Sequence, residues 1–193
     1  MTGQAFPRVT LSTERLALRP FERGDAGDVH AVWNDEAFLR FAPARFPHAA
    51  ASLPRATKWC TCDAEEQRLA GHGVNFAGAE RNHGRLVCHV SLFSTDWTSM
   101  NTEIHYWTAP WARGGGYAAE AARAVGRWAL TGHGFARITL KTVMDNRSSR
   151  RVAEAAGFCF EGILRNGAWT REGRGDMAMY SLIPQDLDEH RGS

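Results

Sequence analysis

The feature that most limits what this chain can fold into is a change of hydrophobic period across one glycine-rich turn. Thr102 to Thr108 is rich in aromatic and β-branched residues and is ended by Ala109-Pro110, so it reads as a strand. The turn Arg113-Gly114-Gly115-Gly116 follows. Ala118, Ala121, Ala122, Val125 and Ala129 then recur at helical spacing, and Gly132 and Gly134 mark the end of the segment. Residues 136 to 144 alternate again, with Ile138, Leu140 and Thr142 facing one way and Arg137, Thr139, Lys141 and Val143 the other. Strand, glycine turn, helix and strand make a βαβ unit, which places the chain among the α/β (α+β) folds.

The flanks are read in the same way. Arg15 to Arg19 alternates and stops at Pro20, a first strand. Asp25 is expected to cap a helix whose apolar stripe is Ala26, Val29, Val32, Trp33 and Ala37. Residues 42 to 58, with three prolines and three basic residues, are expected to be a mobile connection at the border of a substrate site or an ordinary surface loop, with a short helix starting near Pro54. Val74 to Ala79 and Arg85 to Phe93 read as strands of a meander joined by Arg81-Asn82-His83-Gly84. A helix is predicted over Ser148 to Ala156, ended by Gly157, before strands at Phe158 to Leu164 and Asp176 to Leu182. The predicted domain covers 10–185, with 1–9 and 186–193 as tails.

A chain of 193 residues suits one core. At 44% apolar and 23% charged, its composition is that of an ordinary globular domain, not a disordered or fibrous one. Its apolar runs are far shorter than the roughly 18 to 20 residues of a membrane span, and residues 1 to 15 hold no secretory signal pattern, so a cytoplasmic location without membrane association is expected. The net charge of +2 is too small for nucleic-acid binding by field alone. Cys60, Cys62, Cys88 and Cys159 lack the paired spacing of a zinc set, so reduced thiols and no metal are expected.

The chemistry is concentrated at the glycine turn. Three glycines without Cβ atoms let backbone N–H groups approach phosphate oxygens, the helix N-terminus adds partial positive charge, and Arg113 can add a charge-assisted hydrogen bond. No lysine followed by serine or threonine comes after the glycines, and the spacing is not G-x-G-x-x-G, which argues against nucleoside triphosphates and dinucleotides. A glycine turn kept for conformation alone is the simpler alternative.

The spacing of Arg113, Gly116 and Ala118 resembles the motif of the GCN5-related N-acetyltransferases, Arg or Gln, two free positions, Gly, one free position, then Gly or Ala. The run from Glu103 to Ala121, the opening Thr13-Glu-Arg-Leu-Ala-Leu-Arg-Pro with Asp25-Ala26, and Asn146-Arg-Ser-Ser149 leading to Gly157-Phe158 are similar to the branch of RimJ/RimL-type ribosomal-protein N-terminal acetyltransferases. The resemblance implies a single domain with a mixed, mostly antiparallel sheet that splays open around acyl-CoA between the strands at 102–108 and 136–144. It implies an acyl-CoA-dependent N-acyltransferase, with acetyl-CoA as co-substrate and a primary amine as acceptor, either a small molecule or a peptide N-terminus. It also suggests a homodimer.

Carried over by position, the backbone of Trp107 and Thr108 would meet the acyl and pantetheine amides, Arg113, Gly114, Gly115, Gly116, Tyr117 and Ala118 would hold the pyrophosphate, and Asn146 would contact the pantetheine arm. Glu103 is the candidate base for the ammonium, with a salt-bridged glutamate as the plain alternative. Ser149 is the candidate donor to the CoA thiolate, because Ala153 stands where other branches carry a tyrosine; a hydroxyl that satisfies the first helical turn is its plain alternative. His105 and His89 stand where this branch commonly has glycine, and both titrate near neutrality unless packed. Arg147, Arg150 and Arg151 and the seven tryptophans are read mainly as solvated charge and as core or interface area. A longer donor such as succinyl-CoA, or a sensor that binds acyl-CoA without turning it over, are the other readings.

Overall fold

A computed structural model describes residues 4–42, 52–170 and 173–189. Its strands form a single eight-stranded sheet among these residues, in the order β1-β2-β3-β4-β5-β6-β8-β7. They are β1 (Leu11–Ser12), β2 (Leu16–Arg19), β3 (Val74–Glu80), β4 (Leu86–Asp96), β5 (Asn101–Thr108), β6 (Arg137–Val143), β7 (Cys159–Thr170) and β8 (Gly173–Leu182). Every neighbouring pair is antiparallel except β5 with β6. Parallel neighbours need a crossover, and here it is α5 (Tyr117–Arg127), the helix predicted from the alanine stripe.

The parallel ladder is short. Asn101, Thr102 and Glu103 pair with Arg137, Ile138 and Thr139, and there the pairing ends. β5 continues to Thr108 along β4, and β6 continues to Val143 along β8, so the two strands part and leave an open cleft in the sheet. The mixed, open sheet is the one expected from sequence.

Alternation along β5 divides its side chains between two layers. On one face, Tyr106 meets α6 (Arg147–Ala155), and α5 packs beside it through Ala118, Ala121, Ala122 and Val125. Small residues bring α5 close: a Cβ on Gly126 would stand 2.8 Å from Leu182 Cδ2. On the other face, His89 meets Trp107, Phe21, which precedes α1 (Ala26–Trp33), and Trp59, which follows α3 (Leu53–Lys58). The chain then runs through one wider turn at Trp59–Asp63 into α4 (Ala64–Leu69).

The structure corrects several local expectations. The helix drawn through Ala37 breaks: α1 ends at Trp33, and Asp35 caps a separate α2 (Glu36–Phe41) by accepting from Phe38 N at 2.9 Å. Asp25 does not cap α1 with its side chain. Its carboxylate accepts from both guanidinium ends of Arg19 at 2.8 and 2.9 Å and from Glu22 N at 2.8 Å, a partner set that includes a residue six positions earlier. β7 and β8 run beyond Leu164 and start before Asp176, because the two strands support each other as a long hairpin. Phe6, read as part of a tail, is fully buried and stacks on Phe135 at 5.7 Å; such burial contributes about 2–3 kcal/mol. A last short helix, α7 (Asp186–Glu189), follows β8. Most of the proline-rich connection, residues 43–51, lies outside the described residues; α3 begins at Leu53, capped by Ser52.

Candidate active site

The cleft between β5 and β6 is bordered by the glycine loop and α5 and α6 on one face and by the rings around His89 on the other; we name these the donor and the acceptor side after the roles proposed for them. The loop leaves β5 through a tight turn at Pro110–Ala112. Gly114 (φ +78°) and Gly116 (φ +76°) take left-handed conformations that a side chain resists, and Gly116 is the residue immediately before α5. The first-turn N–H groups of a helix have no acceptor within it, so those of Tyr117 and Ala118 are free to meet an anion.

A carboxylate missed by the sequence reading holds this loop. Glu120 in the first turn of α5 accepts from Thr13 Oγ1, from Arg15 N at 3.0 Å and from Arg15 Nε at 2.7 Å, while the same guanidinium donates to Gly115 O at 2.8 Å. Burial works against ionising Glu120, but these bonds outweigh it and hold its carboxyl below the usual range. The start of β2 is thereby tied to the loop. Arg15 also lies over the Tyr117 ring at 4.6 Å, and Tyr117 donates its hydroxyl proton to Glu80, so the tyrosine side chain is turned to the sheet. The sequence signal was present, since Thr13, Arg15 and Glu120 all lie in the segments that carry the resemblance.

Arg113 pairs with Asp35 at the head of α2, its second contact being 3.4 Å, and this bond holds Asp35 below its ordinary value. Ala118 is buried beneath the loop. Trp107 is 8% exposed and lies 5.3 Å from the His89 ring, on the acceptor face. Thr108 pairs with Cys88 at the end of β5, so one edge of residues 104–108 is bonded to β4 and the other faces the cleft.

Across the cleft, Asn146 caps α6 through Oδ1, which accepts from Ser149 N at 3.0 Å. Ser149 is linked to β5 by a residue that the sequence reading passed over. Tyr106 donates its hydroxyl proton to Ser149 O at 2.7 Å and lies 3.1 Å from Ser149 Oγ. Because that phenolic proton goes to the carbonyl, the Ser149 hydroxyl donates to Tyr106. Burial pushes the Tyr106 hydroxyl up, which keeps it a neutral donor. Of the nearby arginines, Arg150 bonds Tyr180 Oη at 3.3 Å.

Glu103 sits where the parallel ladder ends, facing the acceptor side. Lys141 Nζ donates to its Oε1 at 2.9 Å, with 33% and 27% of the two side chains exposed. The salt bridge expected as the plain alternative for Glu103 is therefore present. His105 is next on the same face and opens onto the cleft, with its ring 6.0 Å from that of His89. Surrounding protein lowers His105 below its ordinary value. His89 is 4% exposed, donates from Nε2 to Asn75 Oδ1 at 3.1 Å, and is held well below its ordinary value by burial and by His105. Cys60 and Cys88 are buried free thiols pushed up to about 12 by burial, and no group of His, Cys, Asp or Glu among the described residues is placed to hold a metal ion. No helix of the described residues is long and apolar enough to cross a membrane.

The sheet, the loop and the cleft agree with what sequence comparison finds. Residues 15–159 match the family model of the acetyltransferase (GNAT) domain. The chain belongs to the GNAT acetyltransferase family. Among curated proteins it is 30% identical over 105 residues to YdaF of Bacillus subtilis (strain 168), which carries the name of a ribosomal N-acetyltransferase; the match covers 54% of this chain and 57% of YdaF, just over half the length of each. It is 22% identical over 173 residues to the N-acetyltransferase YoaA of the same organism, covering 90% and 96% of the two chains.

Solved GNAT structures share the fold. RimJ of Mycobacterium smegmatis, solved with a CoA-disulfide, superposes with a TM-score of 0.82 at 19% identity, over 93% of this chain and 90% of that one. The ribosomal-protein-S5-alanine acetyltransferase of Vibrio fischeri gives 0.79 at 19% identity, over 92% and 98%. The microcin C7 self-immunity acetyltransferase MccE, solved with acetyl-CoA and AMP, gives 0.77 at 16% identity, over 89% and 93%.

Proposed function

We propose that this protein is an acetyl-CoA-dependent N-acetyltransferase whose acceptor is a primary amine, with a peptide or protein N-terminus as the acceptor class. The observation that carries the reading is the end of the β5–β6 ladder at Glu103 and Thr139, which leaves an open cleft with the glycine loop at one end and Ser149 across it. The relatives' names, ribosomal N-acetyltransferase and RimJ, support the acceptor class, and the acetyl-CoA and CoA-disulfide in the MccE and RimJ structures support the co-substrate. The unit that performs this work is residues 10–185 together with the buried Phe6, in a cytoplasmic protein.

In this reading the loop from Arg113 to Ala118 binds the pyrophosphate, the cleft-facing edge at Trp107 and Thr108 and the side chain of Asn146 meet the pantetheine arm, and the amine attacks the thioester directly. Glu103 draws in the ammonium and assists its deprotonation, directly or through water, and Ser149 gives a proton to the departing sulfur. Lys141 and Arg137 are the cations that β6 brings to the base of the cleft among the described residues; their charges are matched by Glu103 and Glu161, which favours an acetyl over a dicarboxylic acyl donor.

Calorimetric titration with acetyl-CoA, succinyl-CoA, CoA and ATP in parallel tests the cofactor. Micromolar binding of the CoA species with ATP silent is the expected outcome, and absence of CoA binding would remove the reading. Glu103→Gln is expected to lower turnover at neutral pH, with partial recovery as the amine loses its proton at higher pH. An unchanged pH profile would take Glu103 out of the mechanism.

A further inference from the structure

Among the described residues, the side chain of His89 contains the single buried polar atom without a hydrogen-bond partner, Nδ1. A buried polar group left unmatched is unusual enough to need a reason. Its tautomer follows from its neighbours. Asn75 Nδ2 donates to Gln67 Oε1 at 3.1 Å, so Asn75 presents Oδ1 to His89, and His89 Nε2 carries the proton that fills the 3.1 Å bond between them. Nδ1 is left with a lone pair. Burial disfavours the charged ring, so this lone pair persists at neutral pH.

Four rings surround it. Phe21 has no donor, and the indoles of Trp59 and Trp107, at 5.6 and 5.3 Å between centroids, do not donate to Nδ1. The fourth, His105, is 6.0 Å away and is the one that also reaches the cleft. His105 is two residues beyond Glu103, the last residue of β5 paired to β6, so its ring stands where the two strands part. At that centroid distance, a turn of the ring that brings one N–H to His89 Nδ1 is what would fill the lone pair, with the other nitrogen left to the cleft.

We propose that His105 takes the proton from the acceptor ammonium, and that His89, fixed by Asn75, is the positioning residue that orients it. This deepens the acetyltransferase reading and rests on it, and it moves the proton-accepting step from Glu103 to His105. Glu103, already paired with Lys141, attracts the ammonium, and His105 accepts its proton. The amine lone pair then forms the C–N bond, the C–S bond breaks with its electron pair on sulfur, and the second proton lost by nitrogen balances the one Ser149 delivers to the thiolate. The first proton leaves His105 for solvent. Among the described residues, the charged and titratable groups on the sheet face around His105 are His89 on β4, Glu103 on β5 and Lys141 on β6; Phe21 and Trp59, packed over that face, add none.

The test uses the full chain with ¹⁵N-labelled histidine, followed by imidazole NMR from acid to alkaline pH with and without acetyl-CoA, together with acetylation of a pool of tripeptides differing at the N-terminal residue. His89 is expected to keep its proton on Nε2 throughout, with an Nδ1 resonance that responds to His105→Gln. In the peptide assay His105→Gln is expected to lower kcat on the order of 10²-fold, to leave the KM for acetyl-CoA unchanged, and to abolish an acid limb of the pH profile with its midpoint below 6.5. His89→Gln is expected to lower kcat about tenfold and to displace that limb, which a purely structural role would not do.

A His89 proton on Nδ1, an Nδ1 resonance indifferent to His105→Gln, or an unchanged limb in that variant would overturn the proposal. Spectra indifferent to acetyl-CoA would instead sink the acetyltransferase reading. If no peptide is acetylated, the NMR result alone decides on the histidine pair.

Discussion

The two sides of the cleft are built in different ways. On the donor side, charged groups near the surface are tied together by hydrogen bonds, Glu120 to Thr13 and Arg15, Arg15 to Gly115, and Arg113 to Asp35. On the acceptor side, rings from Phe21, Trp59, His89 and Trp107 pack with little access to water, and a single imidazole, His105, opens outward. In the proposed reaction the donor side binds a charged, hydrated pyrophosphate, and exposed N–H groups beside a guanidinium suit this without burying charge. In the proposed reaction the acceptor side holds an amine in its neutral form, and a desolvated ring cluster favours neutral groups.

The contrast is sharpened most by removing the donor-side clamp. Glu120→Ala is expected to cost about 2 kcal/mol and to lower the melting temperature by roughly 4–8 °C, with weaker CoA binding, because Thr13 and Arg15 lose a shared acceptor. Circular-dichroism melts and calorimetry would show it. Arg15 is 44% exposed, so solvent screens part of the loss, and a melt within about 1 °C of the parent would mean that the network adds nothing.

A second, comparable effect belongs to the acceptor side and depends on pH. His89 is neutral when folded and has an ordinary value of 6.5, so the unfolded chain takes up its proton first. Stability from this group is complete above 6.5 and falls as pH drops from there towards the folded value, by at most about 1.4 kcal/mol per pH unit. Urea midpoints from about pH 7.5 to about pH 5 should therefore fall more steeply in the parent than in His89→Gln. Equal slopes would place the acid sensitivity elsewhere.

The smallest effect probes the one link between the glycine loop and α2. Asp35→Asn keeps the helix cap but loosens Arg113, and CoA affinity is expected to rise no more than about threefold, since both partners are near the surface. Weaker CoA binding would show that Asp35 aims Arg113 at the pyrophosphate instead of competing with it.

How much of this was legible beforehand differs with the range of each contact. The helix over 117–127 and the strands on either side were visible as periodicity, and the glycine loop as a run of residues without Cβ. The break at Asp35 was obscured because Ala37 continues the apolar stripe, although Asp35 has the side chain of a helix cap. Tyr106 looked like one more aromatic in a strand; its bond to Ser149 depends on α6 folding back over β5, 43 positions apart. The Lys141–Glu103 pair was equally hidden, because the register of two parallel strands joined by a crossover is not written in either strand.

The sequence by itself determined the order of elements, the glycine loop between strand and helix and the family, because these follow from local backbone preference and from residues at fixed short spacing. Only the tertiary structure decided where the parallel ladder stops, which carboxylate is already paired and which imidazole is sealed inside with an unmatched lone pair. Those are properties of register and burial, and they exist only when strands far apart in the chain lie side by side.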